Sequence, residues 1–173
     1  MGLFNSKELE KLRIENEELK RCLNALVKKD DIFINDNGII IGAYPWTLHE
    51  SDFKVFLIED EEPDSAFIPA ASAFYALSVS NLLGANVQIK SRLKDTSDSL
   101  RINIIDGQIE AVSNLTAVVY RNDNFGESNF YSSIKGVEKD IGIGFNVNRV
   151  LRLDKALQIG NYIADELRKK IEK

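Results

Sequence analysis

The sequence is poor in the side chains that most often bind metals or carry out nucleophilic catalysis. It has one cysteine, Cys22, and one histidine, His49, in 173 residues. A single cysteine excludes a framework of intrachain disulfides and is typical of a free thiol in a reducing, cytoplasmic compartment. Cys/His metal sites need several such ligands, and the acidic runs at 59–64 and 95–98 lack EF-hand spacing. The sequence therefore predicts no metal site and no cofactor.

Basic residues are outnumbered by acidic ones. The 22 lysines and arginines face 27 acidic residues, so the net charge is −5 and the pI is about 5.0. Binding to nucleic acid without sequence preference requires a basic surface, and so does attachment to anionic lipid through charge alone. We therefore expect neither nucleic acid as a partner nor peripheral membrane attachment.

Long apolar runs of the membrane-spanning kind are also missing. No charged residue lies between Asp64 and Lys90, but Pro69 and several serines interrupt that stretch, and we interpret it as the centre of a soluble domain. The first residues are charged rather than apolar, so no secretory signal is expected. Gly2 fits a short myristoylation pattern, which is weak evidence for a lipid.

What the first thirty residues do contain is a heptad repeat. Its apolar positions follow one another at gaps of 3 and 4, and Asn16 is the one polar member. A buried asparagine at this position favours a parallel two-stranded coiled coil, because it bonds to its twin across the seam. We therefore predict a leucine-zipper-like helix over 1–30 and a parallel homodimer. The predicted dimerisation residues are Leu9, Leu12, Asn16, Leu19, Leu23 and Leu26.

The same heptad pattern has two alternative interpretations. An amphipathic helix packed on its own domain stays open, because only three heptads repeat and short coils are marginal alone. A DNA-binding basic zipper is excluded, since only eight residues precede Leu9 and no basic helix fits there.

The remaining residues, 31–173, read as one α+β domain in which the hydrophobic period changes repeatedly. Apolar and polar residues alternate in several short runs, which is typical of strands with one solvated face. The Asp106-Gly107 pair is a strong hairpin signal, and Gly160 on an apolar helix face predicts a tight crossing. In the first half of the domain we predict a hairpin of 32–34 and 39–41, an irregular segment 42–52, an interior strand 53–58, an acidic loop 59–64 and an uncharged helix 65–84. In the second half we predict strands at 87–93, 100–104, 116–121, 130–134 and 140–147, followed by a helix at 153–171.

The predicted fold is therefore a mostly antiparallel sheet with one buried helix and one C-terminal helix packed on it, preceded by the coiled-coil helix. In the order of its elements over residues 8–173, the chain resembles GAF-type sensory domains, and also roadblock-like and profilin-like modules. This resemblance implies a sensory or binding module that dimerises through a coiled coil, and it assigns no residue a role.

The candidate ligand site lies around the predicted strand 140–147. Gly142 and Gly144 share one face of that strand with Asn146, and glycine in a strand marks the close approach of a helix or of a ligand. The polar loop 122–129 follows Tyr120, and arginines nearby match the geometry of carboxylates and phosphates. The predicted ligand-binding residues are Tyr120, Arg121, Asp123, Gly142, Gly144, Asn146 and Arg149.

Three functions remain open on the sequence. The leading one is a homodimeric, non-enzymatic binding or regulatory module for a small anionic ligand or a protein partner on the sheet face. The second is an assembly protein that builds a complex larger than the dimer. The third is a small hydrolase that uses His49, with Asp52 orienting it, although no nucleophile motif is present.

Overall fold

The computed structural model describes three short strand segments, 32–34, 40–43 and 46–47, and then residues 51–59, 62–63, 66–122 and 128–171. The predicted coiled coil of 1–30 and its six seam residues lie outside the described residues. The same is true of Cys22, His49 and Asp123.

Among the described residues, nine strands form a large sheet in which every pairing is antiparallel. Eight of them follow the order β1-β2-β3-β6-β4-β7-β8-β9, and β5 pairs with β4. The strands are β1 (Ile32–Ile34), β2 (Ile40–Ala43), β3 (Trp46–Thr47), β4 (Phe53–Glu59), β5 (Glu62–Pro63), β6 (Ile68–Ala70), β7 (Val87–Arg92), β8 (Ser99–Ile105) and β9 (Gln108–Val112).

A second, three-stranded sheet and three helices complete the described part of the domain. The small sheet has the order β11-β10-β12 and is also antiparallel. Its strands are β10 (Val118–Arg121), β11 (Ser128–Tyr131) and β12 (Val150–Arg152), and the helices are α1 (Ala73–Leu83), α2 (Ile134–Ile141) and α3 (Leu153–Ile171).

Helix α1 forms the centre of the core. Every residue from Ala73 to Ser80 is buried, between the inner face of the large sheet, the small sheet and α3. The small side chains of α1 allow α3 to approach closely at Gly160, where an added Cβ would lie 3.0 Å from the backbone carbon of Leu77. The tight crossing predicted at Gly160 is therefore confirmed.

The buried serines of this core bond to backbone groups. Ser78 Oγ donates to the carbonyl of Tyr75 at 2.8 Å, and Ser80 Oγ donates to that of Ala85 at 2.7 Å. Ser128 Oγ accepts the N–H of Phe74 at 3.1 Å and so ties the first turn of α1 to β11. A buried hydroxyl without a partner costs free energy, so these bonds are what allow serine in the core.

Several predicted elements are confirmed. The 32–34 and 40–43 strands pair as a hairpin, and β4 lies inside the sheet between β6 and β7. Asp106 and Gly107 have φ of 49° and 73°, the left-handed pair that a two-residue hairpin turn requires. Gly84 ends α1 in the left-handed conformation at φ 62°, as predicted.

The prediction that the uncharged helix enters near residue 65 is wrong. The helix begins at Ala73, and Ile68–Ala70 form β6 of the large sheet. Pro69 has no N–H to donate and disfavours helical geometry in the residue before it, so the chain stays extended there. The 42–52 segment is also less irregular than predicted, because β2 extends to Ala43 and β3 covers Trp46–Thr47. Within the acidic run, Glu62–Pro63 pair with β4 instead of forming only a loop.

The predicted strand at 140–147 is wrong as well, and so is the extension of the preceding strand to Ile134. Residues 134–141 form α2, and two 3₁₀ turns follow at Gly142–Gly144 and Val147–Arg149. The helix starts because the Ser133 side chain accepts the N–H of Gly136 as an N-cap. The apolar alternation that predicted the strand does not correspond to burial, since Ile143 and Val147 are exposed.

Asp95, in the turn between β7 and β8, joins the two sheets. Its carboxylate accepts the N–H of Ser132 at 2.9 Å and also the hydroxyl of Ser132. The neighbouring Lys94 N–H donates to the carbonyl of Phe130 at 2.8 Å. The Asp95 carboxylate packs against Gly136 and occupies the space that a Cβ at this position would need. The start of α2 is therefore positioned by a residue of the large sheet.

Candidate functional site

The outer face of the large sheet is defined by the alternation of side chains along β4. Val55 is fully buried and Phe53 belongs to the core. Because successive side chains of a strand point to opposite faces, Lys54 and Phe56 lie on the face away from α1. The same alternation places Lys90 of β7 and Arg101 of β8 on the outer face, since Ile89 and Leu100 are buried.

The register of the three strands brings three cations into one row. Lys54 lies directly opposite Lys90, and Lys90 lies directly opposite Arg101. Directly opposite residues of an antiparallel pair have Cβ atoms about 5 Å apart, and like charges there are destabilising. The row is therefore an unfavourable arrangement for folding alone.

Two phenylalanines hold the lysines of this row in place. The Lys90 ammonium lies 4.3 Å from the ring centroid of Phe56, and the Lys54 ammonium lies 5.0 Å from that of Phe67. The two rings contact each other at 5.6 Å with an interplanar angle of 48°. Cation–π attraction contributes about 0.5–1 kcal/mol at exposed positions. The ammonium groups are thus positioned by apolar rings, which do not neutralise their charge.

The hydrogen-bond donors of the row are not used within the described part of the chain. The salt bridges found there join Arg152 to Asp154, Arg168 to Asp165 and Lys169 to Glu166. No hydrogen bond from the side chains of Lys54, Lys90 or Arg101 to a described acceptor is present either. A lysine ammonium has three donors and an arginine guanidinium five. The row therefore presents a concentrated set of positively charged donors that no described residue accepts.

The residues predicted as ligand-binding lie elsewhere, around the small sheet. Tyr120 is buried and Arg121 is half-buried at the end of β10. Gly142, Gly144 and Asn146 are exposed in the 3₁₀ segment that follows α2, and an added Cβ at Gly142 would meet nothing within 4 Å. The close approach expected at Gly142 is therefore not found, and ligand binding by these residues stays a prediction.

The structure does bring Tyr120 and the 3₁₀ segment together through apolar contacts. Tyr120 shares a small buried cluster with Tyr131 and Val137, against which Ile141 and Phe145 pack. The Tyr120 and Tyr131 rings meet edge to face at 6.3 Å and 82°. Arg149 is half-buried at the end of the second 3₁₀ turn. This cluster attaches α2 to the outer side of the small sheet.

Tyr131 is the most perturbed titratable group of that cluster. Its hydroxyl donates to Asp140 Oδ2 at 2.9 Å. Burial, followed by the hydrogen bond to the Asp140 carboxylate and the negative charge of that group, raises the pKa of Tyr131 well above its ordinary value. The phenol is therefore a neutral structural donor at physiological pH and has no acid–base role there.

A polar cleft of about 350 Å³ lies between the C-terminal end of α1, the β8–β9 turn and α3, and is lined among others by Asn86, Asp106 and Arg168. Asn81 crosses its base, where Nδ2 donates to the carbonyl of Asn161 at 3.1 Å and to Asp165 Oδ1 at 3.2 Å. These bonds link α1 to α3, so we interpret the base of the cleft as a helix–helix contact.

The sequence predicts the strands that contain the cationic row, but it does not predict the row itself. The alternation identified Lys90 and Arg101 as residues of solvated faces, but alternation alone does not say which residues of different strands are opposite each other. The signal that finds the row is the sheet register, which depends on contacts between distant parts of the chain.

Comparison with known proteins shows a fold but no family. The sequence matches no protein-family model and no curated protein sequence. Among solved structures, the fold is similar to that of MerB2 in the crystal structure of its mercury-bound form, with a TM-score of 0.65 and 18% sequence identity over 95% of this chain and 77% of that chain. Identity this low shows similarity of fold alone. The predicted α+β class is thus confirmed, while the resemblance to GAF-type domains stays a prediction.

Proposed function

We propose that this protein is a non-enzymatic binding module that holds a small anionic ligand on the outer face of its large sheet. The observation that carries the proposal is the cross-strand row of Lys54, Lys90 and Arg101. The row costs stability in the absence of a ligand, because like charges face each other about 5 Å apart. A bound anion relieves that repulsion and also accepts hydrogen bonds from the cations. Both effects favour its binding.

The preorganisation of the row supports the same proposal. A ligand that binds flexible lysines must pay for ordering their side chains. Here the contacts of Lys90 with Phe56 and of Lys54 with Phe67 already restrict the ammonium positions. Carboxylates and phosphates are the anions that arginine recognises best, since they match the guanidinium fork. We therefore propose a ligand with carboxylate or phosphate groups.

The mercury of MerB2 does not fit the described residues of this chain. Soft metal ions prefer thiolate sulfur, and the one cysteine, Cys22, lies outside the part that the structure describes. The described residues also contain no group of three or more histidine, cysteine, aspartate or glutamate side chains placed to hold a metal ion. We propose no mercury chemistry for this chain.

The test is calorimetric titration with inorganic pyrophosphate at low ionic strength. We expect the full chain to bind pyrophosphate, and the double variant Lys90→Gln, Arg101→Gln to bind it at least tenfold more weakly. The matched control, Lys135→Gln, Lys139→Gln, removes the same charge from exposed positions of α2 and should bind as the unchanged protein does. Equal weakening in both variants, or no binding by the unchanged protein, would overturn the proposal.

A second function, assembly into a complex larger than a dimer, would use exposed apolar side chains as contacts. Leu115 is 90% exposed, and Ile143 is fully exposed at 110%. Large apolar groups at the surface are typical of contact sites when they cluster. Light scattering distinguishes the two functions: assembly predicts a mass above the dimer that falls when Ile143 and Leu115 are changed to serine. A mass that these changes leave unaltered contradicts assembly through these two side chains.

A further inference from the structure

A pair of amide side chains lies next to the cationic row on the same face of the sheet. Gln88 of β7 is opposite both Phe56 of β4 and Asn103 of β8, one row along from Lys54, Lys90 and Arg101. Gln88 Nε2 donates to Asn103 Oδ1 at 3.0 Å. This bond orients both amides relative to each other.

The hydrogen bond between the two amides leaves the other polar atom of each amide unused. Gln88 keeps its Oε1 acceptor and Asn103 keeps its Nδ2 donors, because the bond between them uses the other atom of each amide. Neither side chain has another hydrogen bond within the described part of the chain. The pair therefore leaves one acceptor and one amide donor group unused on the outer face of the sheet.

The spacing relates this amide pair to the anion site. Residues two apart in a strand are about 6.6 Å apart along its axis, so the amide pair lies about that far from the cations. A simple polyanion would use the cations alone and leave the amides without a partner. A ligand that uses both combines an anionic group with a neighbouring part that carries hydrogen-bond donors and acceptors. The edges of nucleobases carry both donors and acceptors, and an amide side chain, glutamine or asparagine, is a common partner of adenine.

We infer that the ligand is a free nucleoside phosphate, an inference that rests on the anion site proposed above. Its phosphates accept hydrogen bonds from Lys90 and Arg101, and its base edge bonds to Gln88 Oε1 and Asn103 Nδ2. Phe67, a residue that is 42% exposed and whose ring contacts that of Phe56, provides an apolar surface beside the base. The amide pair is then the element that distinguishes a nucleotide from other anions.

The inference is tested by titrating the full chain with pyrophosphate and with the 5′-diphosphates of adenosine, guanosine, cytidine and uridine. We expect at least one nucleotide to bind tenfold or more tightly than pyrophosphate. The double variant Gln88→Ala, Asn103→Ala should lose this gain and still bind pyrophosphate as the unchanged protein does. An unaltered melting temperature, together with retained pyrophosphate binding, shows that the variant is folded; if the pair melts early, Asn103→Ala alone provides the same comparison.

The outcomes separate the two proposals. If pyrophosphate binds through Lys90 and Arg101 but no nucleotide binds more tightly, the anion site stands and the nucleotide inference is wrong. If the nucleotide gain persists in the amide variant, the base lies elsewhere and the inference is wrong. If no anion binds at all, both proposals are wrong.

Discussion

Gly160 carries no side chain, and the crossing of α1 and α3 depends on that. An added Cβ would lie 3.0 Å from the backbone carbon of Leu77 and 3.1 Å from the backbone nitrogen of Ser78. Replacing glycine by alanine inside a helix normally stabilises it by up to about 1 kcal/mol. Here the sign is reversed, because the contacted atoms are backbone and cannot rotate away.

We therefore predict that Gly160→Ala destabilises the protein by about 1–3 kcal/mol, the usual cost of overpacking a core. The control is Gln158→Ala on the exposed side of the same helix, which should change stability by no more than about 0.5 kcal/mol. Urea denaturation of both variants measures the difference. A stabilised Gly160→Ala would contradict the close crossing.

Tyr131 makes the stability of the domain depend on pH in the alkaline range. Its pKa is raised in the folded chain above the ordinary 10.0, first by burial and then by Asp140. Above about pH 10 the unfolded chain releases this proton while the folded chain keeps it, so stability falls as pH rises. Below that pH the contribution is fully present.

We predict that Tyr131→Phe flattens this decline between pH 9 and pH 11. At neutral pH the same change costs about 1 kcal/mol through the lost hydrogen bond to Asp140. The exposed Tyr162 provides the control, and Tyr162→Phe should keep the full pH dependence. Denaturation curves at several pH values measure it; a parallel decline in all three proteins would show that other groups cause it.

At the scale of elements, short-range signals account for most of what was predictable. The strand alternation of β7 and β8, the Asp106-Gly107 turn and the Gly84 helix end each involve residues close in sequence, and each is confirmed. Helix α2 was missed because Ile143, Phe145 and Val147 alternate like a strand. The spacing of Ile134, Val137 and Ile141 after the cap Ser133 was the helix signal that could have identified it.

If the row of like charges on β4, β7 and β8 is unfavourable without a ligand, removing one of its charges should raise the free energy of unfolding. We predict that Arg101→Gln raises stability by about 0.5 kcal/mol at low salt, because it removes the charge opposite Lys90. The gain should shrink as salt is added and be nearly lost at about 1 M, where the Debye length of about 3 Å is shorter than the separation of the charges. Lys139→Gln on α2 is the control without such a gain. If Arg101→Gln is destabilising at low salt, the guanidinium has a structural role and the row is not strained.

For the whole molecule, the distribution of charge matters more than its sum. The run 59–64 holds five acidic residues and no basic one, and outside it the chain has 22 acidic and 22 basic residues. The net charge of −5 thus comes from one segment at the end of β4. A negative total therefore coexists with a local cationic row on the same sheet.

None of the described helices is long and apolar enough to cross a membrane.

The oligomeric state also belongs to the whole molecule, and it stays a prediction because residues 1–30 lie outside the described residues. We predict that light scattering of the full chain returns twice 19.5 kDa. Asn16→Leu should stabilise the oligomer and broaden its range of masses, because the buried asparagine selects two strands at a cost in stability. A mass of 19.5 kDa for the unchanged chain would contradict the parallel dimer.

The candidate site shows where sequence reasoning stops. Gly142, Gly144 and Asn146 were placed on one face by a predicted strand, and the structure replaces that strand with a helix end and two turns. Two members of the cationic row, Lys90 and Arg101, were already assigned to solvated faces, whereas Lys54 lay in a strand predicted to be interior. What was missing was their pairing across strands up to 47 positions apart, from Lys54 to Arg101.

The sequence by itself determined the α+β class, the alternation of the central strands, the C-terminal end of α1 at Gly84 and the tight crossing at Gly160. These follow from the local preferences of the backbone and from the hydrophobic period, which act over a few residues. Only the tertiary structure decided the division into two sheets, the start of α2 under Asp95 and the meeting of Lys54, Lys90 and Arg101. These depend on strand register, and register is set by the packing of the whole core rather than by any one segment.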